Sequence, residues 1–274
     1  MNKISMKKLG LFLMSYHRPQ FIHESIESIL AQKFADFNLI VSENSVDDQV
    51  WIEVQKYKND PKVRLINRHP SLGSLDHFNT LLRECKSYEY AMMFHDDDVL
   101  MPMALEQMMN ALETNKELSA VSCNGFIIDQ RRQTSELFNP NLISNRLIST
   151  SKDFIKGYLL KTLGHTPFPA YIYRTRFIHD HVLSSEQAGK HSDVTFLIGI
   201  LSQGPFLWLS QPLMRYRYHS SNDSAAIRIR DIFKLSIFFI KKAPSLAVAV
   251  IIYFSKNLIK KVLLEFKFRR QNLT

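Results

Sequence analysis

The sequence predicts an α/β protein in which a mostly parallel central sheet is flanked by helices. Apolar strand-like runs alternate with amphipathic helix-like runs over residues 9–115, and this alternation is typical of parallel sheets covered by helices. Three of the predicted strands end in clusters of polar side chains. The chain has 274 residues, of which 45% are hydrophobic, which suits one large domain or one domain with an appendage.

The first half of the chain supplies four predicted strands, each followed by a helix. The strands are Leu9–Ser15, "FNLIVSENS", "VRLIN" and Tyr90–Phe94. The helices are "PQFIHESIESILAQKF", Trp51–Tyr57, the end of "SLGSLDHFNTLLREC", and "PMALEQMMNALETN". Pro19 marks the first turn of the first helix, where its missing N–H costs nothing. No GxGxxG loop follows the first strand.

The second half has a less regular order. "LSAVSCNGFIID" indicates a pair of strands, and residues 131–150 are polar and loop-like. The pattern then predicts a helix in "SKDFIKGYLLKTL", a strand in "FPAYIYR", a helix in "SDVTFLIGILSQ" and one or two strands in "PFLWLSQPLMRYRYH". The composition changes sharply only near Ala226, which divides a body, residues 1–226, from a tail, residues 227–274.

The net charge of the chain comes from the tail alone. Residues 228–274 hold eleven Lys and Arg against two acids, which accounts for the whole net charge of +9. A neutral body excludes a uniformly basic protein of the nucleic-acid-binding kind. The longest uncharged span of the tail is Ala243–Ser255, 13 residues, whereas a membrane-spanning helix needs about 20. This pattern predicts that the tail forms basic amphipathic helices that lie on a membrane surface. The alternatives are a helical hairpin packed on the body and a contact between subunits of an oligomer.

The remaining composition favours a cytoplasmic protein. Cys85 and Cys123 form no disulfide framework, which is typical of a reducing compartment. The apolar run Leu9–Met14 is too short for the core of a signal peptide and has no small-residue cleavage site behind it. We interpret it as the first strand.

The polar clusters at the strand ends carry the chemistry. They are "SYHR" from Ser15, "SENS" from Ser42, and "HDDD" from His95. Parallel strands present their carboxyl ends at one edge of the sheet, where α/β proteins bind ligands. Carboxylates are ligands for Mg²⁺ or Mn²⁺, and an adjacent arginine suits a diphosphate. The clusters therefore predict a metal–nucleotide site.

Less specific explanations exist for each cluster. In "HDDD" one Asp would cap the helix after Pro102, since Asp favours caps and turns. Arg18 would be a surface arginine before a helix, and Glu43 a solvated loop acid. A cap accounts for one or two of the three consecutive carboxylates, but not for all of them.

Several segments together resemble glycosyltransferase family 2. "MSYHRPQFIHESIESILAQKFADFNLIVSENSVDD" is similar to the family's opening strand–helix–strand pattern, and "MMFHDDDVLMP" to its DXD segment. "HSDVTF" and "MRYRYHSSNDS" are similar to its catalytic-base and C-terminal segments. The resemblance covers residues 9–224 and implies a GT-A fold and an inverting transfer from a nucleotide-sugar.

The resemblance also implies a division of the body and a donor site. Residues 9–115 would bind the nucleotide-sugar, and residues 116–226 the acceptor. Ser15, Tyr16 and Glu43 would hold the nucleoside, with Arg18 close to the same pocket; a glutamate stands where the family more often has an aspartate. A UDP- or dTDP-sugar is favoured as the donor.

The metal and base roles follow from the same resemblance. Asp97 would bind the divalent metal, Mn²⁺ or Mg²⁺, and Asp96 would contact the ribose. Asp98 would contact the sugar or support a metal ligand. His219 would reach the metal or the diphosphate, with simple packing near the strand end as its alternative. The literal triplet permits another register, so this division stays open. Asp193 would be the general base that deprotonates the acceptor. Helix capping is the alternative for Asp193, because Ser-Asp before an apolar helix is a good cap.

These expectations describe a metal-dependent, inverting glycosyltransferase. Its acceptor would be a lipid-linked saccharide in the biosynthesis of a bacterial surface polysaccharide such as O-antigen lipopolysaccharide or capsule. The tail would hold it as a peripheral protein on the inner face of the cell membrane. Two other classes stay open: a metal-dependent nucleotidyltransferase, disfavoured by the absence of a glycine-rich phosphate loop, and an inactive membrane-bound scaffold, disfavoured by the retained acids. The oligomeric state is not predicted.

Overall fold

The computed structural model describes residues 7–129, 133–160, 163–218 and 228–271. Ten strands form one sheet: β1 Leu9–Ser15, β2 Phe37–Glu43, β3 Val63–Asn67, β4 Tyr90–His95, β5 Val99–Leu100, β6 Ala120–Asp129, β7 Gln133–Leu137, β8 Arg146–Ile148, β9 Tyr171–Arg174 and β10 Phe206–Tyr218. The helices are α1 Pro19–Leu30, α2 Gln49–Val54, α3 Ser74–Glu84, α4 Ala104–Thr114, α5 Ser151–Leu159, α6 Ser192–Leu201, α7 Ile229–Lys242 and α8 Ala247–Gln271.

The first half is the predicted parallel sheet. Its strands run in the order β3-β2-β1-β4, all parallel. Both β1 and β2 are buried along nearly their whole length, as expected when helices cover both faces of a parallel sheet. In α1 the inward residues Ile22, Ile26 and Ile29 recur at helical spacing.

The strands of the second half extend the same sheet, with both parallel and antiparallel pairs. β9 lies antiparallel between β4 and β6, and β10 runs parallel to β6. The end of β10 pairs antiparallel with β5, so that Met214 faces Leu100 and Arg215 faces Val99. This pairing brings the end of β10 beside the acidic segment that follows β4.

Several predicted elements differ in extent. Residues 120–129 form one long strand, not a pair, because they pair with β10 along the whole length from Ala120 to Asp129. The predicted loop 131–150 contains β7 and β8. β10 is a single strand of 13 residues with an irregular register around Pro212, where the missing N–H removes a ladder bond.

The tail residues from Ile229 form two helices. The inner face of α7 joins the hydrophobic core through Leu235 and Phe239, and α8 does so through Val250. Within the described ranges, no helix combines the length and the apolar character that crossing a bilayer requires. The opposite face of the pair stays exposed and apolar; it consists of Phe233, Ile237, Ile240, Val248, Ile251, Ile252, Ile259 and Leu263.

Buried Arg174 ties β9 to the end of α4. Its guanidinium donates to the Tyr90 hydroxyl at 2.9 Å, to the Asn115 carbonyl at 3.3 Å and through Nε to the Leu118 carbonyl at 2.9 Å. We expect Arg174→Leu to lower the free energy of unfolding by about 3 kcal/mol, because it leaves the buried hydroxyl and carbonyl oxygens without their hydrogen-bond donor. Urea denaturation measures the change.

The matched control is Arg176→Leu, at an exposed position two residues later. Its free energy of unfolding should change by less than about 0.5 kcal/mol. Equal losses in the two variants would contradict the account of Arg174.

Candidate active site

The three polar clusters meet at one edge of the sheet, as predicted. β1 lies between β2 and β4, with Ser15 opposite Glu43 and Met14 opposite His95. The carboxyl ends of the three strands are therefore level with one another. The loops that leave them share one crevice.

Asp96 ties the end of β4 to the loop after β1. One of its carboxylate oxygens accepts from the Tyr16 backbone N–H at 2.9 Å, and the other from Arg18 Nη1 at 2.8 Å. The same Arg18 atom lies 3.6 Å from Asp97 Oδ2. Burial raises the pKa of Asp96 to about 6, against the opposing effect of the Arg18 charge. The contacts of Asp96 thus hold the Arg18 guanidinium beside the Asp97 carboxylate.

His95, Asp97 and Asp98 form a candidate metal centre. One ligand atom from each lies within 4.8 Å of the others. Asp98 Oδ2 is buried and has no hydrogen-bond partner among the described residues, and it lies 3.9 Å from His95 Nδ1. Burial, and next the Asp97 charge, raise the pKa of Asp98 well above its usual range. A cation among them would relieve that cost, so the donor set fits a divalent metal such as Mn²⁺ or Mg²⁺.

Arg217 is a site residue that sequence reasoning missed. Its backbone N–H donates to Asp98 Oδ1 at 2.9 Å and its Nε to the Asp97 carbonyl at 2.7 Å. Its guanidinium also bonds the Glu24 carboxylate and lies 4.5 Å from the Phe21 ring centre. The alternation "RYRY" at the end of β10 was the available signal, because an arginine in a buried strand needs acidic partners.

A second acidic niche lies at the end of β2. Glu43 is buried, and its Oε1 accepts from the backbone N–H of Ser45 at 2.7 Å and from the Ser45 hydroxyl. Glu43 Oε2 and Ser15 Oγ are buried without a hydrogen-bond partner among the described residues. Tyr16, 49% exposed, follows Ser15 on the adjoining loop. Unpaired buried acceptors are costly, so the niche suits a ligand that donates N–H groups.

Asp193 lies in the first turn of α6. The position before the helix is His191, and no side chain caps it, so the interpretation of Asp193 as a helix cap is wrong. Burial raises the pKa of Asp193 to about 6, against backbone hydrogen bonds that include one from Val194. The Asp193 charge raises the pKa of the Tyr216 hydroxyl, as do the charges of Asp97 and Asp98. Asp193 therefore lies within electrostatic range of the same tyrosine as Asp97 and Asp98 of the candidate metal centre.

The remaining predictions have different outcomes. The capping interpretation of "HDDD" is wrong, because α4 begins at Ala104 and no side chain caps it. The predicted contact of His219 with the metal lies outside the described residues. The structure places Asp98, predicted as a sugar contact, in the candidate metal centre beside Asp97.

Comparison with known proteins assigns a family. The model of Glycosyl transferase family 2 matches residues 11–181. Chondroitin synthase of Escherichia coli is 29% identical over 139 residues, 50% of this chain and 19% of that protein. A Campylobacter jejuni protein named GalNAc(5)-diNAcBac-PP-undecaprenol beta-1,3-glucosyltransferase is 28% identical over 152 residues, 55% of this chain and 48% of its own length. The matches thus span about a fifth and about half of these relatives.

Solved structures agree on the fold. The Staphylococcus aureus TarS fragment 1–349 in complex with UDP-GlcNAc superposes with a TM-score of 0.67 at 15% identity, covering 92% of this chain and 71% of that one. The Pyrobaculum calidifontis mannosyltransferase PcManGT, in complex with GDP-Man and Mn²⁺, gives 0.59 at 15% identity, covering 90% and 68%. The expected GT-A fold is confirmed.

The bonds of Arg217 to the acidic segment predict a stability effect. Arg217→Leu should lower the free energy of unfolding by about 2 kcal/mol, because it removes a buried cation beside Asp97 and Asp98. Urea denaturation without added metal measures this. Arg215→Leu, two residues earlier on the same strand and only partly buried, is the control. A larger loss in the control would contradict the role given to Arg217.

Proposed function

The chain belongs to glycosyl transferase family 2, and we propose that it transfers a sugar with inversion from a nucleoside-diphosphate sugar to a lipid-linked saccharide. The observation that carries the proposal is the candidate metal centre: three adjoining ligands with an unpaired, buried Asp98 oxygen. Family membership supports glycosyl transfer. The neighbours that bind UDP-GlcNAc, and GDP-Man with Mn²⁺, support a nucleotide-sugar and a divalent metal.

The niche at Glu43 supports a pyrimidine diphosphate donor. Its unpaired Oε2 is a buried acceptor, and uracil and thymine each present one N–H group at their pairing edge. Cytosine has no hydrogen on its ring N3 and would place a lone pair against the carboxylate. Tyr16 on the adjoining loop offers a ring for stacking against the base. Guanine also presents N–H donors at this edge, so it is the resemblance to the family, together with this niche, that favours a UDP- or dTDP-sugar as the proposed donor.

His95, Asp97 and Asp98 would hold the metal. A bound Mn²⁺ or Mg²⁺ supplies positive charge that stabilises the leaving diphosphate. Arg18, fixed by Asp96 and 3.6 Å from Asp97 Oδ2, adds a second positive charge at the same edge. Arg217 donates hydrogen bonds to the Asp98 carboxylate and to the Asp97 carbonyl. These bonds would position the metal ligands before the donor binds.

Asp193 is the proposed general base. It would take the proton of the acceptor hydroxyl as that oxygen bonds to the anomeric carbon, while the bond from this carbon to the diphosphate breaks and the diphosphate carries away the electron pair. Attack from the face opposite the leaving group inverts the configuration. A pKa of about 6 leaves the carboxylate ionised at neutral pH and more basic than an ordinary Asp.

The exposed face of α7 and α8 supports attachment to a membrane. Isoleucines on both helices, such as Ile237, Ile251 and Ile252, are exposed, and exposed lysines accompany them: Lys234, Lys241, Lys242, Lys256 and Lys260. Apolar side chains would enter the lipid boundary and lysines would meet anionic headgroups, each worth about 1 kcal/mol. We place this face on the inner leaflet.

This placement suits a lipid-linked acceptor in surface polysaccharide synthesis. The Campylobacter relative is named for an undecaprenol-diphosphate acceptor, which a protein on the membrane surface could reach. An O-antigen or capsule saccharide is the proposed setting. Residues 116–226, which include Asp193, would bind this acceptor.

Calorimetry tests the donor and the metal together. We expect UDP or dTDP to bind more tightly with Mn²⁺ than without it, and GDP and CMP to bind weakly. Asp98→Asn should weaken the Mn²⁺-dependent binding by about 10- to 100-fold, while Asp180→Asn, at an exposed aspartate, should not. If the folded protein binds none of the four nucleotides, the scaffold alternative is favoured.

The base assignment predicts a pH profile. With the diphosphate-sugar of the nucleotide selected by calorimetry, Asp193→Asn should lower kcat by at least about 100-fold. In the wild type, kcat should fall as the pH drops through about 6, because the carboxylate becomes protonated there. The facing groups Tyr158, Tyr173 and Tyr216 stay neutral in this range, since each has a raised pKa. Full activity of Asp193→Asn would contradict the assignment.

Vesicle sedimentation tests the membrane face. The wild type should bind vesicles containing phosphatidylglycerol more tightly than pure phosphatidylcholine. Ile251→Glu should weaken that binding by about tenfold, because it removes an exposed apolar side chain that would enter the lipid boundary, and because its charge is repelled by the anionic surface. Ile52→Glu, at an isoleucine on α2 that is 67% exposed, is the control. Equal binding by the two variants would contradict the location of the face.

A further inference from the structure

Helix α7 contacts the turn that leads into α6 and Asp193. Asp231, in the first turn of α7, is buried and its carboxylate packs against Gly189. Gly189 has a φ of +59°, and a Cβ at this position would collide with Asp231 Oδ1. A side chain at position 189 is therefore excluded both by the left-handed backbone and by α7. The turn from Gly189 to His191 leads directly into α6 and Asp193.

Tyr158 of α5 links the helix pair to the same turn. Its hydroxyl lies 3.2 Å from His191 Nδ1. Its ring packs against Phe239 of α7, at 5.5 Å between ring centres, and against Tyr253 of α8, at 6.1 Å. The Tyr253 hydroxyl interacts with that of Tyr158, and the Asp193 charge reaches Tyr158 as well. One tyrosine thus contacts both tail helices and the turn of the proposed base.

We propose that Tyr158 and Tyr253 are positioning residues for Asp193, through which the α7–α8 pair holds the general base in place. The inference rests on the proposed function for the role of Asp193, but the contacts hold whatever that role is. It follows that the tail has two faces with different tasks. The outer, apolar and basic face is the one proposed for the membrane, and the inner face builds the acceptor side of the active site.

A change in the polarity around Asp193 is the expected signature. The Asp193 charge acts on the hydroxyls of Tyr158, Tyr173 and Tyr216, from α5, β9 and β10, and burial lowers the pKa of His191, two residues before it. Removing a hydroxyl from this set, or letting the turn shift away from it, leaves the carboxylate in less polar surroundings. Such surroundings favour the protonated form and raise the pKa of Asp193.

The experiment follows the titration of Asp193 by carbon-13 NMR. The full chain is labelled at the aspartate carboxyl carbon, and the Asp193 signal is identified by its loss in Asp193→Asn. We expect a midpoint near pH 6 in the wild type. Tyr158→Phe and Tyr253→Phe should each raise it by about 0.5 pH unit. Tyr57→Phe is the matched control, since its buried hydroxyl bonds Glu27 at 2.8 Å on the α1 side of the protein.

Three results would overturn the inference. In the first, the Asp193 midpoint is unchanged in Tyr253→Phe while thermal melting shows a folded protein, so α8 does not act on the base. In the second, Tyr57→Phe shifts the midpoint as much as the other two variants. In the third, Tyr158→Phe leaves it unchanged. The titration needs no substrate, so it is separate from the activity of Asp193→Asn: wild-type turnover in that variant would refute the proposed base and leave the positioning contacts standing.

Discussion

The burial of three consecutive carboxylates at the end of β4 is the constraint on which the rest of the site depends. Asp96, Asp97 and Asp98 are each at most 3% exposed, and two like charges 4 Å apart repel by about 4 kcal/mol at an effective dielectric of 20. Such a segment persists only where cations and N–H donors offset the cost. Arg18 and Arg217 supply the cations, and the unpaired Asp98 oxygen leaves room for one more.

This requirement joins distant parts of the chain. Arg18 comes from the loop after β1, and the bond from Arg217 to Asp98 spans 119 residues of sequence. Arg217 reaches the segment because the end of β10 pairs with β5. The two halves of the body are therefore joined at the point where the chemistry is proposed to occur. The tail joins the body in a comparable way, by burying Leu235 and Phe239 in its hydrophobic core.

Local pattern predicted the parallel half well; in the second half it predicted α5, α6, β9 and β10, but not the single strand β6 or the strands β7 and β8. The strands of residues 9–95 are apolar runs bounded by turns and helix starts such as Pro19, and their polar ends had to meet because parallel strands share a direction. The extent of β6 and the irregular register at Pro212 depend on strand partners far along the chain. The local pattern of apolar residues does not identify such partners. The same limit concealed Arg217, whose role becomes visible only when β10 pairs with β5. Glu43 and Asp97 were identified from the polar clusters at the strand ends, and the individual roles that the family resemblance assigned to them stay predictions.

The most direct test of the account is anomalous diffraction from crystals soaked with UDP and Mn²⁺. The account predicts a manganese peak bonded to the carboxylates of Asp97 and Asp98, at about 2.2 Å from their oxygens, with the uracil against Glu43. Crystals of Asp98→Asn treated in the same way should lack the peak. A manganese ion elsewhere in the crevice, or ordered UDP without any metal near the acidic segment, would contradict the central claim that these buried carboxylates exist to hold a cation.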